Sequence, residues 1–242
     1  MNIVEALAAE KGMVCVVGAG GKKTTLYSLA NRVERGVVTA TVRIPIFDEE
    51  VARVAVTDAP VEAMRANADW PLGVVPEQER EDRYRGYDPA LVTAMRASGH
   101  ADAVFVKADG ARTRWLKAPD EHEPRIPAMA DTVIPIASAK VVGKPLSDEY
   151  VHRPERVAAV TGLDVGDTIG ADDVAEVVAS KQGGRKKVPP RATVVPLINM
   201  VDDAELEAVG REIAAGIHER VDVSRVVLAR MNTDEPLVDV VA

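Results

Sequence analysis

At 242 residues and 47% hydrophobic content, the chain can bury a full core, which excludes global disorder and sets the scale at one sizeable α/β domain. Its 38 acids against 30 bases leave a net charge of -8. That balance argues against a general nucleic-acid binder, because affinity for a phosphate backbone rests on an excess of Lys and Arg.

In chain order, residues 2–11 predict a short leading helix ending at Gly12, and the apolar run 13–17 predicts a buried strand. Cys15, the only cysteine, lies in that run and reads as a small core hydrophobe, with no intrachain disulfide open to it. A glycine-rich turn follows, then a helix over residues 24–34 with Leu26, Leu29, Ala30 and Val33 on one face, stopped by Gly36. Residues 37–41, 51–56 and 72–75 predict strands, 60–68 a short helix, and the charged stretch 77–85 a solvated loop or helix face. Pro89–Ala97 predicts a helix with proline in its first turn, and 103–106 a buried strand running into Asp109-Gly110. The polar, proline-punctuated stretch 111–127 reads as an ordered loop over a site. Strands at 132–136, 193–198 and 225–229, helices at 154–160, 172–180 and 203–219, and a basic linker at 183–190 complete the pass. The fold class these elements predict is α/β. It is a doubly wound, mostly parallel sheet, P-loop NTPase-like, in a single domain 1–242 with a small helical insertion or appendage at 147–190. No run is long and apolar enough to span a bilayer, so the expectation is a cytoplasmic protein with no membrane partner.

A strand, a glycine turn and a helix in that order form an anion site for a physical reason. Glycines let the backbone approach phosphate oxygens, successive N–H groups point inward, and the helix dipole adds positive potential. The turn Gly18-Ala19-Gly20-Gly21-Lys22-Lys23-Thr24-Thr25 supplies these parts, together with a lysine for the outer phosphates and a hydroxyl for Mg²⁺. Two registers are open. With Lys22 as the phosphate lysine, Lys23 stands where the hydroxyl usually follows and Thr24 comes one residue late. With Lys23 and Thr24 as the pair, Lys22 occupies a position that wants glycine. The first is preferred, because the glycine requirement is steric.

Asp109, at the end of a buried strand, is placed to hold Mg²⁺ with Thr24. Asn199 and Asp202 end a later strand as Asn-x-x-Asp, which reads equally as a base-edge contact of a guanine nucleotide or as the start of a helix capped by Asp202 or Asp203. Arg112 is a candidate contact for an anionic ligand. The stretch Lys117, Glu121, His122, Glu123 and the pair His152-Arg153 concentrate further acid–base groups, which more often make caps and ion pairs than a second metal site.

Several of these stretches occur in one order: Gly18 to Thr25, Val38-Thr39-Ala40-Thr41-Val42-Arg43-Ile44-Pro45, Ala108-Asp109-Gly110-Ala111-Arg112, Lys117-Ala118-Pro119, Glu121-His122-Glu123-Pro124, Gly143-Lys144-Pro145-Leu146, His152-Arg153-Pro154-Glu155 and Val195-Pro196-Leu197-Ile198-Asn199. Together they resemble the YqeC family, associated with selenium-dependent hydroxylases as accessory proteins. The resemblance implies a P-loop-type protein linked to maturation of selenium-containing molybdenum hydroxylases. Against the family pattern, Lys23 replaces a hydroxyl residue, Lys107 a glutamate and Met200 a lysine.

Three functions follow as expectations. The first is a protein that binds ATP or GTP with Mg²⁺ and serves as a maturation factor, Lys22 and Asp109 carrying any hydrolysis. A second is a non-catalytic module gripping the pyrophosphate of a molybdopterin-type dinucleotide, where the like-charged Lys22 and Lys23, plus Lys107, suit a large polyanion without Mg²⁺, and whose partner is a molybdenum hydroxylase or its cofactor. The third is an ATP-dependent ligase or kinase acting on a small acid.

Overall fold

The computed structural model describes residues 1–242. Nine strands build the main sheet: β1 (Gly12–Gly18), β2 (Gly36–Ala40), β3 (Arg53–Val56), β4 (Leu72–Val75), β5 (Ala103–Lys107), β6 (Thr132–Ser138), β7 (Leu197–Asn199), β8 (Val226–Ala229) and β9 (Leu237–Val241). Their order across the sheet is β9-β8-β7-β6-β1-β5-β2-β4-β3, with Thr193–Val194 as a short extra pairing beside the start of β6. All neighbours are parallel except β8 and β9, so the sheet is mixed but mostly parallel.

Seven helices accompany it: α1 (Ile3–Ala6), α2 (Lys22–Ala30), α3 (Pro60–Arg65), α4 (Pro89–Ala97), α5 (Pro154–Thr161), α6 (Ala171–Ala179) and α7 (Ala204–Arg220). The period-2 alternation of β1 sends Val14 and Val16 to one face, where α1 and α2 pack, and Met13, Cys15 and Val17 to the other, against α3 and α4. Helices α5 to α7 extend that second face over Ile198, Val226 and Leu228. With both faces covered, the central strands read as continuous apolar runs, which is why they were legible in sequence. No helix is long and apolar enough to cross a membrane.

The elements depart from sequence expectation in a few places, each for a local reason. The leading helix is only one turn. Asn2 caps it, and Ala8 leaves the helical region at φ 49°. Residues 77–85 form a hairpin, Gln78–Arg80 with Arg83–Tyr84, whose charges face solvent while Tyr84 buries against Phe47 and donates to Asp48 Oδ2 at 2.7 Å. The strand expected over 193–198 is split around Pro196, and β9 was not foreseen. Inside the 111–127 loop, Leu116–Lys117 pairs in parallel with Val151–His152. Residues 147–190 contain α5 and α6, whose apolar sides join α7, β7 and β8 in one cluster.

Connections reverse direction at β1. The chain leaves β1 toward β2 on one side of the sheet and leaves β6 toward β7 on the other, so a crevice opens between the C-terminal ends of β1 and β6. In open α/β sheets that crevice is where ligands bind.

Candidate functional site

The glycine turn lies at this crevice, and the packing shows why glycine stands there. Gly18, Gly20 and Gly21 take φ of +89°, +96° and +116°, a region that side chains rarely adopt. The backbone also runs against its neighbours: a Cβ on Gly18 would lie 2.3 Å from Ile136 O, and one on Gly21 2.2 Å from Asn199 Nδ2. The Ala19 N–H donates to Ile136 O and the Gly20 N–H to Arg114 O, each at 2.9 Å. After Gly21 the chain enters α2, two residues earlier than expected, and the N–H groups of Gly21, Lys23 and Thr24 have no acceptor in the chain. These donors form the positive end of the helix dipole.

Lys22 turns inward. Its ammonium, buried with only 5% exposure, pairs with Asp109 Oδ1 at 2.8 Å and donates to Gly18 O. Asp109 is buried too, and its Oδ2 accepts from the Gly18 N–H at 3.0 Å and meets Lys117 Nζ at 3.0 Å. Lys117 reaches on to Glu123 Oε2 at 2.7 Å, and Arg153 completes the ladder with Glu123 at 2.7 Å and Asp120 at 2.5 Å. Lys107 is buried at the end of β5 and donates to Arg43 O at 2.7 Å. Burial would raise Asp109, but Lys22 and Lys117 hold its carboxyl below the ordinary range. Burial, with Lys22 and Lys117 nearby, lowers Lys107 to about 7.

This core of the site lies within a stretch that known sequences share. A family model described as "YqeC protein" matches residues 14–155, more than half of the chain. The chain belongs to the YqeC family. A relative, the uncharacterized protein YqeC of Escherichia coli (strain K12), is 31% identical over 199 residues, which cover 80% of this chain and 77% of that one. No solved structure matches.

The YqeC match spans the glycine turn, Asp109, Lys117, Glu123 and Arg153, and the fold brings all of these together. It does not bring every predicted site residue in. Thr24 is exposed, and Thr25 is buried with its hydroxyl donating to Gly21 O at 3.1 Å. Lys23 is half-buried and has no partner in the chain. Arg112, Glu121 and His122 are exposed and their side chains have no partner in the chain, while His152 lies half-buried beside Lys117 across the short strand pairing. Asn199 and Asp202 fall outside the matched range. The Asn199 carboxamide donates to Gly20 O at 2.8 Å and accepts from the Met231 N–H at 3.0 Å, tying the turn to the end of β8. Asp202 pairs with Lys140 at 2.5 Å, and Asp203, not Asp202, caps α7.

Asp120 is the member to which motif reading gave no role of its own, whereas Lys107 was expected, with Lys22 and Lys23, to suit a large polyanion. The acid-rich run around Asp120 was the one available signal for it, and the alternation of β5, which puts Lys107 on the same face as Phe105, was the signal for Lys107. A cavity of about 820 Å³ lies between α1, residues 32–34 and residues 234–237, and none of these charged groups lines it.

Mg²⁺ does not fit this arrangement. Both Asp109 oxygens face cations, Oδ2 also accepts an N–H, and Oδ1, though ion-paired, accepts no well-aligned hydrogen bond. No group of three or more His, Cys, Asp or Glu could hold a metal ion.

The ladder makes stability depend on pH. Burial, followed by Arg153 and Lys117, lowers His152 from 6.5 to about 4. Between those values the unfolded chain binds the extra proton, so stability is lost as pH falls, at a slope of up to about 1.4 kcal/mol per pH unit. Glu123 has a folded pKa of about 2 against 4.5, because Lys117 and Arg153 outweigh its burial; its contribution is present above 4.5 and lost as pH falls toward about 2. Urea midpoints measured from pH 7.5 down to 3 are expected to decline, and His152→Gln to flatten the upper limb. A wild-type midpoint equal at pH 7 and pH 5 would contradict the His152 assignment.

Proposed function

We propose that the chain binds the polyphosphate of a nucleotide, ATP or GTP, at the glycine turn, and that it does so as an accessory protein in the maturation of selenium-dependent molybdenum hydroxylases. The observation that carries the nucleotide reading is the coincidence at one crevice of three free N–H groups at the start of α2 with the buried ammonium groups of Lys22, Lys107 and Lys117. Free helix-start donors favour anions, and buried cations strengthen that preference because little water screens them. On this P-loop-like reading, the outer phosphates draw Lys22 from Asp109 while Lys117 keeps that carboxylate paired. Exposed Arg112 stands on the loop whose Arg114 carbonyl already meets Gly20. The maturation role comes from the family resemblance alone.

A second reading has its own support. Because Asp109 offers no open oxygen, the turn equally suits the pyrophosphate of a molybdopterin-type dinucleotide, gripped without chemistry and handed on.

Calorimetric titration with ATP and with GTP tests the first reading. Micromolar binding is expected, with Lys22→Ala losing about tenfold or more, equivalent to ~1.4 kcal/mol. No heat with either nucleotide would remove the first reading and leave the dinucleotide module.

A further inference from the structure

A buried ammonium group ordinarily has a carboxylate beside it, because an unpaired charge is costly away from water. Lys22 and Lys117 share Asp109, and Lys117 and Arg153 share Glu123. Lys107 forms no ion pair. Its single acceptor is the carbonyl of Arg43, whose own guanidinium turns outward to Glu79. Lys107 ends β5 between β1 and β2, with Val16 and Ala40 as its register partners, and lies on the face shared with Phe105, the side covered by α2. Four cationic groups, Lys22, Lys107, Lys117 and Arg153, thus meet three carboxylates, Asp109, Glu123 and Asp120. Lys107 is the buried member of this group that no carboxylate in the chain pairs.

We propose that Lys107 is a ligand-binding residue of the glycine-turn site, and that this site takes a polyphosphate free of divalent cation. The inference rests on the nucleotide reading above and adds the ionic form of the ligand. A divalent cation neutralises adjacent phosphate oxygens in many polyphosphate sites. Here Lys22 and Lys107 supply that neutralisation, and when Lys22 turns to the phosphates the Asp109 carboxylate keeps Lys117 and the Gly18 N–H on Oδ2. A ligand with several adjacent negative oxygens satisfies both the free N–H groups and the free ammonium, which a single carboxylate could not span.

The test is calorimetric titration of the full chain with inorganic tripolyphosphate, once in EDTA and once in excess Mg²⁺, for wild type, Lys107→Met and Lys107→Gln. Thermal melts come first, to establish that the variants are folded. Wild type is expected to bind in EDTA at least as tightly as in Mg²⁺. Both variants are expected to keep their melting temperature and lose about tenfold or more in affinity, as removal of a charge-assisted hydrogen bond requires. Binding only in the presence of Mg²⁺, or variants within about twofold of wild type, would overturn the inference while leaving the nucleotide reading in place. Variants too unstable to titrate would show Lys107 to be structural and overturn it as well. Absence of wild-type binding to tripolyphosphate, ATP and GTP alike would instead remove the nucleotide reading itself.

Discussion

Asp109→Asn is expected to cost about 3–5 kcal/mol of folding stability, the range for breaking a buried charge network by removing one partner. The reason is the sharing of one carboxylate by two ammonium groups. Lys22 is 5% exposed and the Lys117 side chain 0%, so both lose this counter-charge while buried, and only Lys117 keeps another carboxylate, Glu123. Asparagine could still accept from the Gly18 N–H, so the loss isolates charge from hydrogen bonding. Lys22→Met provides the contrast. There Asp109 keeps Lys117 and the Gly18 N–H on Oδ2 while Oδ1 loses its cation, and the expected cost is smaller, about 1–3 kcal/mol. Urea denaturation of the three proteins reads both values. Equal costs for the two substitutions would mean that Asp109 is not the hub of the cluster.

The second large effect is expected at Gly18→Ala. Its Cβ would meet the backbone carbonyl of Ile136 at 2.3 Å, and backbone cannot move aside as a side-chain tip can. The φ of +89° adds strain for any L side chain. Overpacking and strain together predict a loss of about 3–5 kcal/mol. The same shift pushes β1 from β6 and opens the crevice, so nucleotide binding is expected to fail even where the chain stays folded. Gly110→Ala is the control one segment away. Its φ is not positive and its new Cβ would find Glu123 Oε1 at an ordinary 3.6 Å, so about 1 kcal/mol or less is expected. A Gly18→Ala protein as stable as Gly110→Ala would mean that β1 and β6 have room to part.

How far the site could be read beforehand differs residue by residue. Gly18 to Lys22 was legible because a buried strand, glycines and a helix are local in sequence and each has a local steric cause. Asp109 was legible for the same reason, as the acid at the end of an apolar run. Its use was not. It was expected to hold a metal, yet it faces two lysines, because Lys117 returns through the Leu116–Lys117 pairing with Val151–His152, which nothing local announces. Asn199 shows the same limit. Its strand-end position suggested a reader of a nucleotide base, but its carboxamide is engaged by Gly20 and Met231, residues far away in sequence. The hairpin at 78–84 escaped because its charges mask the alternation that buries Tyr84.

The sequence by itself determined the buried parallel strands, the covering helices and the glycine turn between β1 and α2. Those follow from side-chain periodicity, and from backbone angles that each residue carries wherever it sits. Only the tertiary structure decided that β1 lies between β5 and β6, that Asp109 serves two lysines, and that Lys107 is left without a carboxylate. Charge pairing and desolvation depend on which distant segments close around a group, and strand order across the sheet sets that.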